Sequence, residues 1–75
     1  MNEARKERLR LLRHLNRETA QLEWPLRNEV LAKMVEHGGL ARVSSRFECW
    51  WGNSVHDCAK IEITAAGRRY LRKSE

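Results

Sequence analysis

The chain has 75 residues, 41% hydrophobic and 33% charged, which allows one domain near the lower size limit for a core that needs no metal, disulfide or partner. One Pro and four Gly exclude a low-complexity chain, and the apolar runs are too short for a membrane span or a signal-peptide core. A cytoplasmic protein with no membrane contact is the expectation. The formal net charge of +5 sits at the two ends: Arg5, Lys6, Arg8, Arg10 and Arg13 outnumber Glu3 and Glu7, and Arg68, Arg69, Arg72 and Lys73 outnumber Glu75, while the middle is slightly acidic. Any surface that attracts phosphate or an acidic partner must therefore draw on the ends.

In chain order, Ala4, Leu9, Leu11, Leu12 and Leu15 mark a first helix from Asn2 to about Leu15, with Asn2 as its cap and Glu3 complementing the helix dipole. Asn16 interrupts this pattern and is read as the cap of a short second helix over Arg17–Glu23. The alternative is that the first helix continues through Asn16. Trp24-Pro25 marks a break, with Pro25 suited to the first turn of a third helix. There Leu26, Val30, Leu31, Met34 and Val35 form one stripe opposite Arg27, Asn28, Lys33 and Glu36, and Gly38-Gly39 ends it.

The period then changes to two. A strand from Ala41 to Trp51 places Val43, Phe47 and Trp51 on one side and Arg46, Glu48 and Trp50 on the other, and a return strand runs from Val55 to Thr64. A three-residue loop, Gly52 to Ser54, sets Trp51 opposite Val55, Phe47 opposite Ala59 and Val43 opposite Ile63, giving one apolar face. A bulge could produce the same faces, whereas an Asn53-Ser54 loop sets Ile61 opposite Arg46. The preferred register puts Trp51 in the core and leaves Trp50 outward near the tip. Thr64 caps a last helix, and Gly67 in its first turn marks a close approach to neighbouring backbone.

Two stretches carry a resemblance. "VLAKMVEHGGLARV" resembles the end of the third helix and the start of the hairpin in winged helix-turn-helix transcription regulators. "IEITAAGRRYL" resembles the strand-to-helix exit of their wing, with Ile63, Thr64, Gly67, Arg68 and Leu71 at the motif positions. The resemblance implies an α+β fold over residues 1–75: a small winged-helix domain of three helices, a β-hairpin wing and a short C-terminal helix. It makes Pro25 to His37 the recognition helix, with Arg27, Asn28 and Lys33 as candidates for base readout. Arg5, Arg8, Arg42, Arg46, Arg68 and Arg69 are the candidates for phosphate contact.

Two features depart from that pattern. Glu29 and Glu36 cancel Arg27 and Lys33 on the recognition helix, and the hairpin tip offers Trp50 and Trp51 where a DNA-following wing offers Lys or Arg. An outward Trp50 suits a protein partner or a second copy of the chain, which gives the alternative reading of a protein–protein interaction module. Cys49, His56 and Cys58 lack the paired spacing of a four-ligand zinc site, so no metal or cofactor is expected, and the two cysteines are read as thiols. His14, among exposed Arg residues, and His37, at a helix C-terminus, are read as structural. No phosphate loop, nucleophile elbow or zinc-protease motif is present, so a non-enzymatic protein that binds double-stranded DNA, as a regulator or mobile-element accessory protein, is the expectation.

Overall fold

The computed structural model describes residues 2–75. In order the elements are α1 (Glu3–Arg17), β1 (Ala20–Glu23), α2 (Glu29–Lys33), a π-helical turn (Met34–Gly38) that continues α2, β2 (Ala41–Trp51), β3 (Ser54–Ile63) and α3 (Ala65–Ser74). The strands form one antiparallel sheet in the order β1-β3-β2.

The chain is α+β, but it is not three helices followed by a wing and a last helix. The segment expected to be the second helix is split between the end of α1 and strand β1. Helix α1 runs through Asn16 to Arg17, and Ala20–Glu23 pairs with β3, setting Ala20 against Ile61 and Leu22 against Ala59. The alternation Ala20, Leu22 against Gln21, Glu23 is as good a strand signal as a helix signal. A segment this short is decided by the tertiary edge available to it rather than by propensity. One helix therefore joins β1 to β2 where a helix-turn-helix has two, and no recognition helix follows a supporting one.

Helix α1 starts as its sequence indicates: Asn2 Oδ1 accepts from the Arg5 amide at 2.7 Å, and Leu9, Leu12 and Leu15 are buried. Helix α2 starts at Glu29, later than Pro25, because Asn28 supplies its cap by accepting from the Leu31 amide at 3.0 Å. Leu31 and Met34 are its buried residues, and Gly39 closes the π turn with a φ of 63°, a conformation that favours glycine. The sheet contributes Ala41, Ala59, Ile61 and Ile63 to the same core, and α3 contributes Leu71.

The hairpin takes neither of the registers read from the sequence. Its loop is Gly52-Asn53, with Trp51 paired to Ser54, and Gly52 has a φ of 62°, as the first central residue of a type II′ turn requires. A bulge between Val43 and Ser45 then shifts the pairing by one residue. At the base, Val43 opposes Ile61 and Ala41 opposes Ile63, on the core face. Beyond the bulge the faces of β2 exchange, so Phe47 opposes Cys58 and Arg46 opposes Ala59. The expected continuous face of Val43, Phe47 and Trp51 is thus broken at Ser44, and Trp51, expected in the core, is 51% exposed and stacks on His56 at 4.6 Å between ring centres.

The same exchange brings the cysteines together. Cys49 opposes His56 and Cys58 opposes Phe47, which places both on one face at a Cα separation of 6.1 Å, and they form a disulfide rather than the expected thiols. Such a bond persists in an oxidising compartment and is opened by cytosolic thiol buffers. Among the described residues no helix is long and apolar enough to cross a membrane, and no group of three or more His, Cys, Asp or Glu could hold a metal ion.

Candidate nucleic-acid interface

The basic surface is built on α3, and local chemistry positions it. Thr64 Oγ1 accepts from the Gly67 amide at 3.0 Å to start the helix, while its hydroxyl donates to the Gly39 carbonyl and its backbone amide donates to the Leu40 carbonyl at 3.1 Å. Gly67 lies against Leu40, as its sequence position suggested, and Leu71 is buried. With Gly67 and Leu71 inward and Tyr70 half-buried, Arg68, Arg69, Arg72 and Lys73 are all exposed.

These four differ from five of the other cations in having no internal carboxylate partner. Lys6 pairs with Glu3, Arg10 with Glu7, Arg13 with Glu75, Arg27 with Glu23 and Arg42 with Glu62. No described carboxylate lies within 4.0 Å of the charged groups of Arg68, Arg69, Arg72 or Lys73, so their positive potential is not cancelled locally. Arg17, likewise exposed and unpaired, extends the patch. It lines a cleft of about 520 Å³ between the end of α1 and the start of α3, together with Arg68, Thr19, Thr64 and the Arg42–Glu62 pair.

The residues singled out for base readout are not brought together. Arg27 precedes α2, where it lies 3.7 Å from Glu23. Both ends of the Asn28 amide are engaged: its oxygen caps α2, and its nitrogen donates to Glu7 Oε2 at 3.1 Å, so no edge is left for an adenine. Lys33 is exposed on a different cleft, beside Val30, Met34 and Tyr70. The phosphate candidates divide as well. Arg5 is exposed near the start of α1, whereas Arg8 donates to the Tyr70 hydroxyl at 2.9 Å, Arg42 is held by Glu62, and Arg46 lies 4.6 Å from the centre of the Trp24 ring. Arg68 and Arg69 are on the unpaired patch. Arg17, Arg72 and Lys73 were not among the candidates, although the run Arg68-Arg69-x-x-Arg72-Lys73 with no intervening acid was a visible signal for two of them.

The Glu7–Asn28 contact joins α1 to α2 and makes a pH prediction. The Arg10 guanidinium, and after it the Asn28 amide, hold the Glu7 carboxyl at about 2, below its ordinary 4.5. A depressed carboxyl pKa contributes stability that is complete above the unfolded value and is lost as pH falls from there through the folded one. The Glu7 side-chain carbon signal is expected to titrate with a midpoint of about 2 by NMR, and Asn28→Ala to raise that midpoint. A wild-type midpoint at the ordinary value would show that the contact does not form in solution.

No known protein-family model, curated protein or solved structure matches the chain.

Proposed function

We propose that the protein binds the phosphate backbone of double-stranded DNA through α3 and the adjoining Arg17, as a small accessory or regulatory DNA-binding protein. The observation that carries this reading is the group of exposed cations on one short helix with no carboxylate partner, in a molecule that pairs five of its other cations internally. Phosphates supply the missing anions, and release of condensed counterions from the DNA supplies the driving force. Because Asn28 is committed to α2 and Glu7, and Arg27 lies off the helix, the reading assigns contacts to the backbone rather than to base edges.

The test is a titration of the protein against duplex DNA of mixed sequence across a salt series. With four or five phosphate contacts, log affinity is expected to fall against log salt with a slope of about −4, a loss of about 10²-fold between 50 and 200 mM. Replacing Arg68, Arg69, Arg72 and Lys73 together by Ala should remove most of that slope and leave affinity alike across sequences, whereas Arg27→Ala should change little. Binding that ignores the α3 substitutions, or that is absent at low salt, would overturn the proposal.

A further inference from the structure

The far end of the β2–β3 hairpin has a character opposite to that of α3. From Phe47 to Cys58 there is no Lys or Arg, and the hairpin exposes Trp50 (69%), Trp51 (51%) and Val55 (44%), three of the four large hydrophobic residues exposed among those described. Register places Trp50 across from Val55 and, two residues nearer the base, Glu48 across from Asp57. These cross-strand pairs stand on one side of the hairpin, so an apolar pair and a pair of carboxylates form a single patch. Like charges directly opposite one another disfavour the pairing, and neither carboxylate has a cation within ion-pair distance. An exposed apolar patch with unneutralised acids beside it fits a surface that presents arginine or lysine.

That surface exists on the same chain, out of its own reach. Helix α3 follows the base end of β3, ten residues from the turn, which is about 33 Å of extended strand. The molecule is 43 Å long and half as wide, so tip and α3 occupy opposite regions of it. The type II′ turn and the Cys49–Cys58 bond hold the tip in one shape, which lowers the ordering cost of docking it.

We infer that the Trp-bearing hairpin tip of one copy docks on the α3 helix of a second copy. Arginines of α3 lie over Trp50 and pair with Glu48 and Asp57, a combination that a planar guanidinium makes and an ammonium makes less well. The contact is heterologous: each copy that offers its tip keeps a free α3, so association grows by addition of further copies, into a ring or an open chain according to the rotation between them. This goes beyond the DNA reading and does not depend on it, since the experiment contains no DNA.

Sedimentation velocity tests it with three proteins, each shown by circular dichroism to be folded: the wild type, Trp50→Ser, and Arg69→Glu/Arg72→Glu. The wild-type weight-average mass is expected to rise with concentration at low salt and to return to the monomer at high salt. Each variant alone is expected to remain monomeric, because one lacks a tip and the other lacks a receiving helix. Mixed in equal amounts they should form dimers and nothing larger, since each mixed pair holds one working tip and one working α3. A wild type monomeric throughout the range, an α3 variant that still dimerises alone through tip-to-tip contact, a tip variant that still associates, or a mixture that stays monomeric would each overturn the inference.

Discussion

Replacing Gly67 by Ala is expected to remove a large share of the protein's stability. A Cβ at this position would stand 2.1 Å from the Leu40 carbonyl oxygen and 2.7 Å from Cγ1 of Ile63. The oxygen belongs to backbone that cannot swing aside cheaply, because the Leu40 carbonyl accepts from the Thr64 amide and the preceding Gly39 carbonyl accepts from the Thr64 hydroxyl. Helix α3 must therefore retreat, which withdraws Leu71 from the core and loosens the Arg8–Tyr70 contact. Alanine is the better helix former by about 1 kcal/mol, which sets a lower bound on the effect that packing must overcome. Overpacking of a close contact costs about 1–3 kcal/mol and more where backbone is the obstacle. A domain of this size has only about 3–5 kcal/mol to lose. Urea unfolding followed by circular dichroism measures the difference, and a variant as stable as the wild type would show that α3 does not seat on Leu40.

This contact was legible in the sequence because its cause is local. Thr64 and Gly67 are three residues apart in one helix start, and a glycine there costs helix stability unless a close approach of backbone requires it. The leucine stripe of α1 and the Gly38-Gly39 stop were legible for the same reason. What escaped depends on partners far along the chain. Strand β1 forms because β3 offers it an edge, and nothing in Ala20–Glu23 announces that edge. The hairpin register turns on a bulge at Ser44, a position no different in kind from Ser45, and the facing of Phe47, the exposure of Trp51 and the Cys49–Cys58 bond all follow from it. The basic patch was half legible. A run of charge is visible in one dimension, but its significance comes from pairing elsewhere, as between Arg13 and Glu75 or Arg42 and Glu62, which removes other cations from contention. Asn28 looked like a base reader because a helix start at Pro25 would have turned its amide outward. The start at Glu29 makes it a cap instead.

The second large effect is expected at Leu12, whose side chain is completely buried. Helix α1 packs against α2, α3 and β3 together, so a hole left in its face is bounded by three elements that are themselves fixed by other contacts. A site of that kind cannot collapse to fill the space, which places Leu12→Ala in the upper part of the 2–5 kcal/mol range for such truncations, at about 4 kcal/mol. Trp50 provides the contrast. It is a larger side chain, but it stands mostly in solvent at the hairpin tip, so Trp50→Ser is expected to cost the monomer less than about 1 kcal/mol. If the two variants, measured by urea unfolding at low protein concentration, lose similar stability, then either α1 can shift to close the hole or the tip is packed within the monomer. Only the first of these outcomes is compatible with Trp50 serving a second copy of the chain. The expected ordering, a severe loss at Leu12 and a slight one at Trp50, separates the residue that holds the fold from the one the fold presents.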